Sequence, residues 1–318
     1  MRILVVGAGA TGGYFGGRLL EAGQDVTFLV RPRRAAELAS AGVVIQSPTG
    51  DVSIPKPRTV EAHQLRPEYD LILLSCKAYD LESAMESFAP AVSERVAILP
   101  VLNGMRHLDL LDARFGRERV LGGLCVISAV LEPGGCIAHL NDLHLLSFGE
   151  RDGRRSARVE AIAAACKDAK FYTRLSEIIL QEMWEKWVFI ASLASLTCLM
   201  RAMVRDIVAA GGTELAQALL DESAAIAASQ GFAPRTRQLE KDRATVTAAE
   251  SDLAASMLRD IERGGPIEAD HMVGDLLRRG DAAGVAAPLL KVASTHLKAY
   301  EARRAREIAG IPTRVNRP

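Results

Sequence analysis

The feature of this sequence that most constrains its fold is a glycine-rich turn near the N-terminus. Ile3–Val6 is a run of apolar, β-favouring residues, and Gly7–Gly12 follows it directly with the pattern GxGxxG. A helix is predicted from about Gly12 to Ala22, where Gly23 ends it. The pattern is weak alone, but between a buried strand and a helix it is typical of a loop that holds the pyrophosphate of a dinucleotide.

Each glycine of this turn has a distinct expected role. Gly7 permits the tight turn, Gly9 lets the backbone approach the pyrophosphate, and Gly12 lets the helix pack close to the strand. The N–H groups at the start of the helix then face the phosphates. A glycine turn without a ligand is the less favoured alternative. The candidate cofactor-binding residues of the turn are Gly7, Ala8, Gly9, Ala10, Thr11 and Gly12.

The end of the second predicted strand, Asp25–Val30, indicates which dinucleotide binds. NAD-binding folds usually carry an acidic residue there, which holds the 2′-hydroxyl of the ribose. This chain has Arg31-Pro32-Arg33-Arg34 instead. Arg31 is placed to form charge-assisted hydrogen bonds with a 2′-phosphate, so the sequence predicts NADP(H) rather than NAD(H). The alternative is that these arginines only form a solvated helix start.

The first half of the chain alternates apolar, β-rich runs with helical stretches, which is typical of a parallel sheet covered by helices. The segment from 43 to 57 contains short alternating pieces whose register the pattern does not fix. A helix is expected over about Leu81–Ala89. The further predicted strands are Asp70–Cys76, Arg95–Val101, Leu121–Val130 and Leu143–Phe148.

From about Ser156 onward the pattern is almost wholly helical, with one short extended piece near Phe171–Tyr172. The fold class is therefore α/β: an N-terminal Rossmann-like, doubly wound domain (1–175) that binds NADP(H), and a C-terminal all-helical domain (176–318) for substrate binding and dimerisation. A cleft between them and a disordered tail over Pro312–Pro318 are expected. The predicted helices are Ser156–Ala169, Ser176–Arg205, Thr213–Ser229, Ala244–Glu262, Asp270–Arg279 and Pro288–Arg306.

Two polar residues follow predicted strands of the first half. Lys77 comes after Asp70–Cys76, and Asn103 comes after Arg95–Val101. In open α/β sheets, ligands bind outside the carboxyl ends of the strands, so both residues are candidates for a site shared with Gly7 and Arg31. Taken singly, Lys77 also fits a surface charge and Asn103-Gly104 an ordinary turn.

In the helical half, Lys186 is the leading candidate residue. It lies between Trp184 and Trp187, at the start of an uncharged run of 14 residues that ends at Met200. Helical spacing puts Ile190, Ala194 and Thr197 on its face. A lysine at the end of an apolar helix often only extends to solvent, but a buried one has a lowered pKa and is a better proton donor. Its possible partners are Glu185 and Glu268.

Composition excludes several classes of protein and site. The 318 residues contain 39 Lys and Arg against 39 Asp and Glu, which gives no global reason to expect nucleic acid or an anionic membrane as a partner. The 14-residue uncharged run is too short to span a bilayer comfortably, and the N-terminus does not resemble a signal peptide, so a cytoplasmic location is expected. No metal-ligand spacing appears, and a homodimer is a mild expectation. The scattered cysteines are expected to be buried thiols: Cys76, Cys125, Cys136, Cys166 and Cys198.

With these residues in place, the chain resembles the ketopantoate reductase (2-dehydropantoate 2-reductase) family over essentially its full length. The matching motifs keep the family's order, and the spacing from Ser256 to Glu268 also fits. The motifs are GAGATG at Gly7–Gly12, LLSCKA through Lys77, LNGM through Asn103, WEKW through Lys186, ASMLRD at Ala255–Asp260 and IEAD at Ile267–Asp270.

The resemblance implies NADPH-dependent reduction of a small 2-oxo acid, with 2-dehydropantoate (ketopantoate) as the substrate. It implies that Lys186 is the general acid and that Glu268 holds the cofactor ribose or the catalytic lysine. Lys77 and Asn103 are implied to contact the cofactor, and Asn103 and Ser256 to contact the substrate.

The sequence departs from the family pattern one and two helical turns after Lys186. Family members that reduce ketopantoate commonly carry asparagines there, but this chain has Ile190 and Ala194. Losing two groups that hydrogen-bond a substrate hydroxyl weakens discrimination for that substrate. A paralogue that reduces a more apolar 2-oxo acid or carbonyl, and a non-catalytic NADP(H)-binding sensor, therefore remain alternatives.

Overall fold

A computed structural model describes residues 1–310 and divides the chain into two compact units. The first unit is Met1–Met183 and the second begins at Trp184. The strands are β1 (Arg2–Val6), β2 (Asp25–Leu29), β3 (Val43–Gln46), β4 (Val52–Ile54), β5 (Arg58–Val60), β6 (Leu71–Leu74), β7 (Ala97–Pro100), β8 (Gly122–Leu131), β9 (Cys136–Gly149) and β10 (Tyr172–Leu175).

The helices of the first unit lie mainly between these strands, and those of the second unit follow one another. The helices are α1 (Ala10–Glu21), α2 (Pro32–Ala41), α3 (Leu81–Phe88), α4 (Arg106–Phe115), α5 (Ala157–Cys166), α6 (Ile179–Met200), α7 (Val204–Ala209), α8 (Thr213–Ser229), α9 (Thr236–Val246), α10 (Ser256–Glu262), α11 (Asp275–Ala282) and α12 (Pro288–Ile308). A π-helical turn, Asp270–Gly274, leads directly into α11.

A five-stranded parallel sheet forms the centre of the first unit, with the order β5-β2-β1-β6-β7. The chain builds outward from β1 on one side and then returns to add β6 and β7 on the other. Such a reversal of strand order creates a crevice at the carboxyl ends of the two strands that flank it, here β1 and β6. Ile3–Val6 of β1 are all buried, as expected for a central parallel strand.

A second, mixed sheet in the first unit accounts for the segment that the sequence left unassigned. β3 pairs antiparallel with β4 and parallel with the start of β9. The long strand β9 also pairs antiparallel with β8 and, near its end, parallel with β10. The predicted strands over 121–130 and 143–148 are therefore parts of one long hairpin, β8–β9.

The second unit is helical, and two of its predicted helices are wrong in extent. The predicted helix Ser176–Arg205 is two helices, because the chain turns at Arg201, whose φ is +55°. The predicted helix Ala244–Glu262 is also interrupted: α9 ends at Val246 and α10 begins only at Ser256. These helices nevertheless confirm the predicted fold class, α/β with a parallel sheet followed by a helical part.

Two further observations concern the described part of the chain. Within residues 1–310, no helix has the length and apolarity needed to cross a membrane. The predicted disordered tail, Pro312–Pro318, lies outside the described residues.

Candidate functional site

The glycine turn occupies the carboxyl end of β1, at the reversal of strand order. Gly7 has φ +92°, a conformation that favours glycine, and its N–H donates to the Leu29 carbonyl at the end of β2 (3.1 Å). Gly9 is the N-cap of α1 and has no side chain to cap the first turn, so the N–H groups there remain available to an anion.

Contacts around Gly12 show why a glycine is needed there. A Cβ atom at Gly12 would lie 2.1 Å from both the Gly7 carbonyl oxygen and the Ser75 hydroxyl. The Ser75 hydroxyl itself donates to the carbonyls of Val6 (3.0 Å) and Gly7 (3.3 Å), so it ties the turn to the end of β6. By contrast, a Cβ atom at Gly9 would meet no atom within 4 Å. The turn is therefore packed on its inner side and open at Gly9.

These features fit a bound dinucleotide pyrophosphate. Open space beside an exposed Gly9 allows the close backbone approach that a pyrophosphate needs. Ala8 is buried, while Ala10 and Thr11 form the first, partly buried residues of α1. The structure thus offers backbone N–H groups at a helix N-terminus on the ligand-binding edge of a parallel sheet.

Arg31 follows β2 as the N-cap of α2, and it forms an ion pair that the sequence did not predict. Its Nη2 lies 2.7 Å from Oδ1 of Asp80, in the 3-10 turn after β6. Hydrogen bonding and charge at Asp80 raise the pKa of Arg31. The neighbouring Arg34 is more buried and donates to the Ala8 carbonyl (3.1 Å), which fixes the glycine turn from the side of α2.

Lys77 and Asn103 lie at the same edge of the sheet as the glycine turn. Lys77 is the N-cap of the 3-10 turn after β6, and its carbonyl accepts a bond from the Asp80 N–H (2.9 Å). Asn103 is partly buried in the loop after β7, before Gly104 at φ +78°. Four adjacent strands, in the order β2-β1-β6-β7, are therefore followed at their carboxyl ends by Arg31, Gly7, Lys77 and Asn103, respectively.

In the second unit, Lys186 is partly buried on α6 between two tryptophans that pack firmly. The rings of Trp184 and Trp187 lie 4.9 Å apart, and the guanidinium of Arg279 lies over both. The Trp187 indole N–H donates to the Met272 carbonyl (2.8 Å). This bond holds α6, one residue from Lys186, against the π-helical turn that follows Glu268.

Glu268 lies just before that turn, and its carbonyl accepts a bond from the Met272 N–H (2.9 Å). One backbone segment therefore carries Glu268 and the carbonyl to which Trp187 is bound. Glu185, the other candidate partner of Lys186, is almost fully buried and accepts three bonds from Arg235: from its backbone N–H (2.9 Å), Nε (2.8 Å) and Nη2 (2.6 Å).

Ser256 is exposed at the first position of α10, and α6 also positions this helix. The Thr197 hydroxyl of α6 accepts a bond from the N–H of Ala255, the residue before Ser256 (3.3 Å). Thr197 lies eleven residues after Lys186, three helical turns along the same face. The segments that carry Glu268 and Ser256 are thus held at two levels of one helix.

Between these two levels the face of α6 is apolar. Ile190 is partly buried and Ala194 is buried, and neither offers a hydrogen-bonding side chain. Within residues 1–310, no group of three or more His, Cys, Asp or Glu side chains could hold a metal ion. The five cysteines, all within that range, are free thiols.

Three residues around the glycine turn and Arg31 were missed by the sequence analysis. Ser75 lay inside the LLSCKA motif but gave no signal of its bond to the glycine turn. Arg34 was seen only as one of three neighbouring arginines. Asp80 is 49 residues from Arg31, and nothing in the sequence pairs them.

Comparisons with known proteins place the chain among oxidoreductases. Residues 3–153 match the family described as "Ketopantoate reductase PanE/ApbA", and residues 178–301 match its C-terminal part. An uncharacterized oxidoreductase of Bacillus subtilis, YkpB, is 38% identical over 303 residues, which cover 95% of this chain and 99% of that protein.

Two solved structures share the fold. The crystal structure of 2-dehydropantoate 2-reductase from Geobacter metallireducens is 28% identical, with a TM-score of 0.85, and covers 94% of this chain and 99% of its own. The structure of D-mandelate dehydrogenase with NADH and anilino(oxo)acetate also has a TM-score of 0.85, covering 96% and 99%, but at 20% identity it shows the fold alone. Because the family matches span both halves of the sequence, the chain belongs to the ketopantoate reductase family of oxidoreductases.

Proposed function

We propose that this chain is an NADPH-dependent reductase of a small 2-oxo acid, with 2-dehydropantoate as its substrate. The observation that carries the proposal is the arrangement around Lys186. α6 presents this lysine, and two hydrogen bonds hold the segments bearing Glu268 and Ser256 against the same helix. An ammonium, a carboxylate and a hydroxyl are thereby brought to one helix.

These groups suit the reduction of a carbonyl. NADPH, when bound, supplies a hydride to the carbonyl carbon. Lys186 then stabilises the negative charge that develops on the keto oxygen and donates a proton to it, which completes the hydroxyl group of the product. Glu268 orients the lysine or holds the cofactor ribose. Ser256 donates a hydrogen bond to the carboxylate of the substrate.

The first unit would hold the cofactor. The backbone N–H groups of the Gly7–Gly12 turn bind the pyrophosphate, and Arg31 binds the 2′-phosphate. Lys77 and Asn103, on the same sheet edge, would contact the nicotinamide half and help to frame the reacting centre. Asn103 would also contact the substrate. This assignment rests on the order of the strand ends and on the open approach at Gly9.

The apolar face of α6 favours a second candidate substrate. With Ile190 and Ala194 after the lysine, α6 has no side chain at these positions that can hydrogen-bond the hydroxyl of ketopantoate. A 2-oxo acid with an apolar side chain would bury more favourably against this face.

The test compares substrates and a lysine variant in one assay. NADPH oxidation is measured with 2-dehydropantoate, 2-oxoisovalerate and pyruvate for the unaltered protein and for Lys186→Ala. We expect kcat to fall by roughly 10²–10⁴ in the variant while NADPH still binds. Lys291→Ala, which removes an exposed lysine paired with Asp281, is the matched control and should retain full activity.

The substrate ranking decides between the candidates. Preference for 2-dehydropantoate supports the first, and preference for 2-oxoisovalerate supports the apolar substrate. If NADPH binds but none of the three acids is reduced, the reductase proposal fails, and a nucleotide-binding sensor becomes the better explanation.

A further inference from the structure

The ion pair between Arg31 and Asp80 brings a carboxylate to the place where coenzyme type is decided. Arg31 Nη2 and Asp80 Oδ1 are 2.7 Å apart, and the two side chains are 72% and 38% exposed. Arg31 follows β2, and Asp80 follows β6. These two strands flank β1, which carries the glycine turn. The pair therefore connects the segment after β2 with the segment after β6, on either side of the glycine turn.

An acidic residue in this region has a defined chemical meaning. In folds that bind NAD, a carboxylate at the end of the second strand accepts a hydrogen bond from the ribose 2′-hydroxyl. Here that strand ends in Arg31, a cation suited to a 2′-phosphate. Asp80 supplies the carboxylate from a different strand and holds it against the same guanidinium. The edge thus carries both kinds of recognition group at once.

The two coenzymes make opposite demands on this pair. A 2′-phosphate must take Arg31 away from Asp80, and it must also lie beside a carboxylate of its own sign. A 2′-hydroxyl is neutral and can donate a hydrogen bond to a carboxylate. The other two arginines offer little compensation, because Arg34 is engaged by the Ala8 carbonyl and both it and Arg33 pair with Glu37.

We infer that Asp80 is a coenzyme-selectivity residue, which competes with the 2′-phosphate for Arg31 and so lets the protein bind NADH as well as NADPH. This inference rests on the proposed function only in that a nicotinamide dinucleotide occupies the glycine turn. It changes the expectation from strict NADP(H) use to use of both coenzymes with a small preference.

The test measures binding rather than turnover. Dissociation constants for NADPH and NADH are determined by calorimetry, without substrate, for the unaltered protein and for Asp80→Asn. The exchange keeps the side-chain shape, and Asp80 makes no side-chain capping bond to α3, so the fold should persist. We expect the ratio Kd(NADH)/Kd(NADPH) to rise about two- to fivefold, mainly through tighter NADPH binding, as for loss of one exposed like charge.

Matched measurements separate this effect from general changes of charge. Asp25→Asn removes an equally exposed carboxylate at the opposite end of β2, where it pairs with Arg58 (2.6 Å), and should leave the ratio unchanged. Arg31→Ala should abolish the preference for NADPH. Because exposed charges are screened by salt, the effect of Asp80→Asn should shrink at high ionic strength.

The outcomes also separate this inference from the proposed function. An unchanged ratio in Asp80→Asn, or an equal loss of affinity for both coenzymes, overturns the role of Asp80 even if the protein reduces 2-oxo acids. Altered selectivity in a protein that reduces no 2-oxo acid supports Asp80 and overturns the proposed function. A protein that binds neither coenzyme overturns both.

Discussion

At the scale of single residues, Glu185 is a buried carboxylate whose stability depends on its hydrogen-bond partners. Its side chain is almost fully buried, next in sequence to Lys186, and both of its carboxylate oxygens are bound by Arg235. A buried charge that loses its partner is far more costly than an exposed one. Asp242 is another buried carboxylate, and its negative charge repels that of Glu185. Loss of the positive charge of Arg235 would therefore be more costly.

Arg235→Ala should therefore destabilise the protein by about 2–4 kcal/mol, less than a fully enclosed pair because half of the arginine is exposed. Arg243→Ala is the matched control, since it breaks an exposed pair with Asp221 and should cost about 0–1 kcal/mol. Urea unfolding at pH 8 measures both. Equal losses in the two variants would show that Glu185 does not depend on Arg235.

These neighbouring residues show which features of the site the sequence predicts and which it does not. Lys186 stands out in the sequence because it lies between two tryptophans and directly precedes the uncharged part of its helix. Glu185 was a candidate partner of that lysine, and the structure shows that its carboxylate accepts bonds from Arg235, 50 residues further along. No local pattern reports such a contact, because it depends on how the residue before α9 approaches α6 in the folded chain.

At the scale of elements, the junction of β1 and α1 divides its glycines into two kinds. Gly12 is required for packing, since a Cβ atom there would collide with the Gly7 carbonyl and the Ser75 hydroxyl. Gly9 has open space around it and ordinary φ and ψ angles, so the protein alone does not require a glycine there. A bound pyrophosphate would require a glycine there, because it approaches the backbone closely.

Alanine at these two positions should therefore give different defects. Gly12→Ala is expected to lower the free energy of unfolding by about 1–3 kcal/mol through overpacking. Gly9→Ala should leave stability within about 0.5 kcal/mol and weaken NADPH binding at least tenfold, because the methyl group occupies the approach to the phosphates. Thermal unfolding and calorimetric titration measure the two effects. Normal NADPH affinity in Gly9→Ala would argue against a pyrophosphate at this turn.

Elements with strong local signals were predicted, and those defined by distant pairing were not. The strands β1 and β6 contain continuous apolar runs, β2 is rich in β-favouring residues, and each of the three is present. The strands β3 and β4 are too short for a periodic pattern, and β9, the second pairing partner of β3, is about 90 residues away. The interruptions before α7 and α10 contain neither glycine nor proline. Helical periodicity therefore gave no reason to end the predicted helices there.

At the scale of the whole molecule, each unit contains a buried group that responds to pH. In the first unit, the Tyr14 hydroxyl bonds Nδ1 of His144 (2.7 Å), and the ring of His139 stacks on His144 (5.3 Å). Burial lowers the pKa of His144, and His139 and Arg18 add to this, while Asp142 opposes it. The stability that this neutral imidazole provides is present above its ordinary pKa of about 6.5 and is lost as the pH falls below that value.

The second unit responds in the opposite direction. Burial raises the pKa of Asp242 to about 6, and Glu185 also raises it, while a bond from Gln238 (2.7 Å) opposes the shift. The folded protein thus holds a proton on Asp242 that the unfolded chain releases near pH 4. This contribution to stability is present below pH 4 and is lost as the pH rises through 6, so acidification from pH 8 to pH 5 restores part of it.

Two substitutions should reveal these opposing contributions in the melting temperature of the whole protein. Between pH 8 and pH 5, His144→Gln should lose less stability than the unaltered protein. Asp242→Asn should lose more, by about 1 kcal/mol or about 2–4 °C. Burial opposes the shift in two other carboxylates, but Lys170 and Arg18 lower the pKa of Glu21, and Arg158 and Ser156 lower that of Glu150, so both titrate below this window. Scanning calorimetry at both pH values tests the prediction, and the pH dependence of the double variant should lie between those of the two single variants. If both single variants shift it in the same direction, the two units do not carry opposing titrations, and the buried groups assigned here are not the ones that control acid stability.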